Sequence, residues 1–274
     1  MWTGPARLAC IALFALVAAT TGGSRALAQT ARFQAGIPEE GAARREEARA
    51  TAPADRFTTE LITYTSQGKA IRAAVFRPLA NANGAGVVFI HGSGSIGPFQ
   101  LRFAQRFAED GYIVVVPTYL DAAADDSIRP EWMMSAWRDS GADAIEWLIA
   151  QGVDRRRTGI IGYSLGSYIA VDGALGQSRA GAAVAVAGGW DVYPPRPPAR
   201  RIPVLIIRNQ RDTHVHPAST ERWLQFLEEA NVPVRIRVNR NAPHIMNWTQ
   251  WEAAYGFAST FFNGTIAGPT SQGT

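Results

Sequence analysis

From Phe57 onward the chain alternates apolar and polar positions in two distinct rhythms. Phe57–Thr65 and Ala70–Arg77 alternate with period two on either side of Ser66-Gln67-Gly68-Lys69, which predicts an antiparallel hairpin. Gly86–Ile90, Tyr112–Val116, Thr158–Ile161, Ala182–Ala187 and Val204–Ile207 are short apolar runs, the pattern of strands buried on both faces, and Val234–Val238 is the last expected strand. Helical spacing fills the intervals: Phe99–Asp110 with Phe99, Phe103 and Phe107, then Trp132–Gln151, the residues after Ser164, Pro217–Ala230 and Trp248–Phe262. Strand and helix therefore alternate after the hairpin. That order predicts an α/β fold with one mostly parallel central sheet and helices on both faces. In such sheets chemistry gathers at the carboxyl ends of the strands. His91-Gly92-Ser93, Gly162-Tyr163-Ser164, Gly189-Trp190-Asp191 and Arg211-Asp212 all stand at such ends.

The termini follow neither rhythm. Met1–Arg7 is basic, Leu8–Ala19 is apolar, and Ala26-Leu27-Ala28 is an A-x-A site, so residues 1–28 read as a secretory signal peptide cleaved after Ala28. The apolar run is too short for an ordinary membrane span, so no stable membrane insertion is expected after cleavage. Residues 29–55 are rich in Ala, Arg and Glu and read as a flexible leader, while 264–274 read as a flexible tail. The catalytic domain is expected to fill 56–263, with no internal repeat. The expected destination is the medium or a periplasm.

Composition narrows the chemistry. Of 274 residues, 47% are hydrophobic and 18% charged, ordinary for one large globular domain. The formal charge of +4 falls to about +2 without Arg7 and Arg25, too little to argue for nucleic acid. Cys10, the one cysteine, lies in the apolar run, so the mature chain would have neither disulfide nor thiol nucleophile.

Gly162-Tyr163-Ser164-Leu165-Gly166 matches G-x-S-x-G between an apolar strand and a helical segment, the setting of a nucleophile elbow. A helix N-cap is the competing role for a serine at such a junction, but glycines at both flanking positions favour the nucleophile. A serine hydroxyl needs an imidazole to take its proton. Of the four histidines, His244 is the one well separated from a preceding strand-end acid, as the order Ser, acid, His requires. The acid is expected to be Asp212, one strand closer to His244 than the rival Asp191. The oxyanion site is expected at the backbone N–H of Leu165 and of Ser93, with Gly92 the alternative to Ser93. His214-Val215-His216 has the spacing of two metal ligands without an obvious third, so no metal is expected. Trp190 is the candidate substrate-pocket residue and Trp137 a helix-core residue.

These pieces, with Val87–Gly94, Phe107–Pro117, Gly162–Gly166, Asp212 and His244 in order, resemble the α/β-hydrolase superfamily and, within it, the dienelactone hydrolase family. The resemblance spans roughly residues 57–262 and implies the α/β-hydrolase fold, a Ser-Asp-His triad and no cofactor. The chain departs from the enzyme that names the family. Ser164 stands where that enzyme has cysteine, and Gly92-Ser93-Gly94 lacks its acidic residue, so dienelactone is not the expected substrate. Ser167 stands where a second glycine is common, and Asn209-Gln210-Arg211 where many members have a glycine before the acid. The expected activity is that of a secreted serine hydrolase on a small-molecule ester. The alternatives are a peptidase of the prolyl-oligopeptidase type, disfavoured by the short stretch ahead of the hairpin, and a non-catalytic binding protein on the same fold.

Overall fold

The computed structural model describes residues 56–125, 128–190 and 195–268. The expected signal peptide, the whole of the expected leader, and Asp191 lie outside them. Among the described residues eight strands form one sheet in the order β1-β2-β4-β3-β5-β6-β7-β8. The hairpin of β1 (Phe57–Ser66) and β2 (Lys69–Pro78) is antiparallel and joins β4 (Ile113–Pro117) antiparallel. The rest are parallel: β3 (Gly86–Ile90), β5 (Thr158–Tyr163), β6 (Ala182–Val186), β7 (Val204–Asn209) and β8 (Val234–Asn239).

Alternation within the apolar strands sorts their side chains onto two faces. Val87, Phe89, Val114, Val116, Ile161, Val184 and Leu205 join one buried cluster. Val88, Ile90, Val115, Ile160, Ala183, Val204 and Ile206 join the other. The first face carries α1 (Pro98–Glu109) and α5 (Trp248–Phe262), with Phe103 and Phe107 set against Trp251, Tyr255 and Phe262. The second carries α2 (Glu131–Ala150), α3 (Leu165–Leu175) and α4 (Pro217–Glu229). In α3 only Asp172 is not buried, because the helix lies between the sheet and α2. A helix apolar on every side belongs in such an interior.

The chain leaves β3 for β4 on one side and then crosses to β5 on the other, so the strand order reverses about β3. Ile90 and Gly162 pair at the carboxyl ends of β3 and β5. The loop after Ile90 and the turn after Tyr163 therefore flank one crevice, the usual ligand position in such sheets.

Helix and strand limits differ from the sequence expectations by one or two residues. The C-terminal segment differs in kind. Asn263–Ala267 is not a flexible tail but a π-helical turn continuing α5, with Ile266 and Ala267 buried. Its composition is polar and glycine-rich, yet a Cβ on Gly159 would sit 2.8 Å from the Ile266 side chain, so this turn fills the space left by a strand glycine. Residues 269–274 lie outside the described residues. Ile266→Ala should therefore destabilise the protein by about 2–4 kcal/mol in urea unfolding, the cost of a core cavity; a change within about 0.5 kcal/mol would place the segment outside the core.

Candidate active site

Ser164 sits between β5 and α3 with φ 53° and ψ −124°. A non-glycine residue held there costs about 1–3 kcal/mol, so its surroundings must enforce it. They do so by close backbone contact. A Cβ on Gly162 would lie 1.9 Å from the Gly166 carbonyl oxygen, and one on Gly166 would lie 2.3 Å from that of Ile90. The elbow thus presses directly on the end of β3. The Ser164 N–H donates to the Val186 carbonyl at 2.9 Å, fixing the turn to β6 as well.

Ser167, where a glycine is common in the family it resembles, is accommodated. Its hydroxyl donates to the Ser164 carbonyl at 2.6 Å. Gly188 supplies the room, since a Cβ there would fall 1.9 Å from the Ser167 Oγ.

The three residues expected to act together are brought together. The Ser164 hydroxyl lies 2.8 Å from His244 Nε2, and His244 Nδ1 lies 2.8 Å from Asp212 Oδ2. A carboxylate only accepts, so Nδ1 carries the proton and Nε2 is left to accept from the serine. Asp212 is held by more than the histidine. Its Oδ1 accepts from the backbone N–H of His214 at 2.9 Å and of Val215 at 2.8 Å. Asp212 and His244 are both buried, while Ser164 is partly open.

The loops after β7 and β8 are stitched to each other. The Asn209 side-chain amide donates to the Pro243 carbonyl at 2.8 Å. Gln210 N–H bonds the Asn239 carbonyl at 3.1 Å, and Arg211 N–H bonds the Ala242 carbonyl at 2.9 Å. Asn209, at the departure from the family pattern, thus couples the acid loop to the histidine loop. Tyr163 adds a third tie, because its hydroxyl donates to the His244 carbonyl at 2.6 Å and its ring lies 5.5 Å from the imidazole. Burial, with the Asp212 charge adding to it, pushes the Tyr163 phenol up to about 12, so it stays a donor. The exposed ring of His214 stacks on His244 at 4.8 Å. Sequence reasoning missed both contacts: the second position of G-x-S-x-G is unrestricted, and ring stacking leaves no spacing signal.

Leu165 begins α3, so its N–H has no intrahelical acceptor and lies beside the serine. The second expected donor is set by His91, which is buried and whose Nδ1–H donates to the Gly92 carbonyl at 2.7 Å. That peptide is trans, so the Ser93 N–H points away from the imidazole. Gly92 lies close against Ser164, with a would-be Cβ 3.4 Å from the serine Cβ. Behind His91 stand Tyr119 at 4.6 Å and, edge-on to it, Trp137. Trp137 is core, as expected, and its indole N–H donates to the Ala123 carbonyl.

Two further expectations concern side chains beside the triad. His216 caps α4, its Nδ1 accepting from the Ala218 N–H. Among the described residues no three His, Cys, Asp or Glu side chains form a metal-binding group. Trp190 does follow β6, but its ring packs on Phe226 of α4 at 5.4 Å and on the core beneath, with its N–H bonded to Ser219. Those contacts favour a packing role over the pocket role expected of it.

Burial lowers the His91 imidazolium pKa to about 4, below its ordinary 6.5. The unfolded chain therefore takes up a proton as pH falls below 6.5, and the folded chain does not until about 4. Stability should drop through that window, by roughly 3 kcal/mol from this residue. His91→Gln, which keeps a donor and cannot titrate, should lose about that much less than the parent between pH 7 and 4 in urea unfolding. Parallel profiles for the two proteins would contradict the assignment.

Comparison with known proteins agrees with this architecture. A model of the dienelactone hydrolase family matches residues 71–258. No curated protein sequence matches the chain. Among solved structures, a dienelactone hydrolase-like promiscuous phosphotriesterase from metagenomic libraries is similar, with TM-score 0.64 and 17% identity over 77% of this chain and 99% of that one. A dienelactone hydrolase from Anabaena variabilis has TM-score 0.64 and 18% identity, over 77% and 99% of the two chains. A puromycin-hydrolyzing peptidase from Mycobacterium tuberculosis has TM-score 0.59 and 16% identity, over 79% of this chain but 41% of its own. At these identities the structures speak for the fold, and the matched family model, covering well over half the chain, speaks for kinship: the chain belongs to the dienelactone hydrolase family, within the α/β-hydrolase superfamily.

Proposed function

We propose that this hydrolase-family chain cleaves a carboxylic ester through Ser164, with His244 as base and Asp212 as its orienting acid. The observation that carries the reading is the pair of 2.8 Å contacts running from the Ser164 hydroxyl through His244 to Asp212. His244 takes the serine proton as Oγ attacks the ester carbonyl, and Asp212 stabilises the imidazolium that forms. The tetrahedral oxyanion is held by the Leu165 N–H, at the positive end of α3, and by the Ser93 N–H. The imidazolium then gives its proton to the departing alcohol, leaving an acyl-serine. A water deprotonated by His244 releases the acid and restores the serine.

The rim of the site favours an apolar substrate. Phe99, 45% exposed, opens α1 just after the Ser93 loop, and Ile245, 76% exposed, directly follows His244. Trp248, at the start of α5, brings its ring 6.2 Å from that of Phe99. Apolar side chains left open beside both catalytic loops suit an aliphatic or aromatic group on the ester.

Ser164→Ala should reduce turnover of p-nitrophenyl esters by at least about 1000-fold with an unchanged melting temperature. In the unmodified protein kcat/KM should rise from acetate to hexanoate, and should exceed that for matched anilides. Ester turnover retained by Ser164→Ala would refute the nucleophile, and faster anilide cleavage would turn the reading toward the peptidase alternative.

A further inference from the structure

The end of the sheet opposite Ser164 holds a basic cavity that the hydrolytic reading does not use. It has a volume of about 510 Å³ and is lined by Arg155, Arg156, Arg179 and Arg200, with Gln177 and Ser178. Arg155 and Arg156 belong to the short turn just before β5, Arg179 to the loop before β6, and Arg200 to the segment before β7. The cavity therefore lies at the amino ends of three adjacent parallel strands. Ser164 follows the carboxyl end of β5, six residues further on, or about 20 Å away at strand rise. A ligand here would not be the substrate in transit.

The charges are concentrated and poorly matched. Within the described residues, only Arg179 of the cavity's four arginines meets a carboxylate, that of Glu146 on α2. Arg200 is fixed instead by main chain, donating from Nη1 to the Ala174 carbonyl at 3.1 Å and also to that of Ser178. Arg155 and Arg156 are exposed and their side chains meet no carboxylate within the described residues. Asp154, on the same turn, turns its carboxylate onto the Arg156 backbone N–H. The third arginine of the turn, Arg157, faces elsewhere and donates to the Asn83 and Ala267 carbonyls. Burial, and after it the neighbouring Arg155 charge, hold the Arg200 guanidinium below its ordinary value. Elsewhere the chain commonly spends arginine on carboxylates, as in Arg72–Asp121, Arg102–Glu109 and Arg208–Glu221.

We propose that this cavity is an anion site for a phosphate-bearing ligand, held by the guanidiniums of Arg155, Arg156 and Arg200 with Arg179 at its margin. Guanidinium forks match phosphate oxygens in pairs, and the cavity is large enough for more than one phosphoryl group or for a phosphate with an organic substituent. Both a free phosphate compound and a phospholipid headgroup present that chemistry.

Two measurements on the full chain separate the sources: calorimetric titration with inorganic pyrophosphate, and co-sedimentation with phosphatidylglycerol or phosphatidylcholine vesicles. The variant is R155Q/R156Q, whose two side chains are exposed, and its melting temperature should match the parent's. The parent should bind pyrophosphate, and the variant should bind it at least tenfold more weakly; this supports the site with a free ligand. Arginine-dependent sedimentation with phosphatidylglycerol alone supports it with a lipid headgroup. Binding of neither probe, or equal binding by parent and variant, overturns the proposal.

Discussion

The contact on which the site depends is between backbones. The Gly162 and Gly166 Cα atoms are so close to the neighbouring main chain that no side chain fits at either. That approach drives the elbow against the end of β3, holds Ser164 at a positive φ, and sets the first free N–H of α3 beside its hydroxyl. A strained residue persists only where the surroundings over-determine it. Here the bond to Val186, the Ser167 hydroxyl on the Ser164 carbonyl, and two buried strands share that task. The fold and the site are in this respect one arrangement.

The other candidate catalytic groups come from loops, which need fixing of a different kind. Asp212 and His244 follow β7 and β8, two and three strands removed from β5 in the sheet. Their positions are held by main-chain bonds between the two loops, by the Asn209 amide on Pro243, and by the Tyr163 hydroxyl on the His244 carbonyl. Tyr163 thus links the serine's own strand to the histidine. On the far side of Ser164, His91 fixes the orientation of the peptide before Ser93, backed by Tyr119 and Trp137.

Most of this architecture was legible in the sequence because strand burial and helix periodicity are local signals. The apolar runs around Val87, Val115 and Ile160 announced strands covered on both faces, and the two buried clusters bear that out. The candidate triad was legible because glycine spacing, residue order and the scarcity of histidine restrict the choices. What escaped notice depends on partners distant in sequence. The turn Asn263–Ala267 looks like a frayed end until Gly159 is seen to leave room for Ile266. Trp190 looked like a pocket residue from its strand-end position, yet α4 offers it Phe226. Ser167 and Gly188, complementary across the elbow, are twenty-one positions apart, a pairing that spacing alone does not reveal.

The central claim is that Ser164 is a nucleophile activated by His244, and covalent capture tests it most directly. A fluorophosphonate is attacked by an activated serine and stays attached, so intact and peptide mass spectrometry locate the site. The account predicts one adduct per chain, on the peptide containing Ser164, formed at least about 100-fold more slowly in His244→Ala. No adduct on the folded protein, an adduct on another residue, or labelling indifferent to His244 would contradict it.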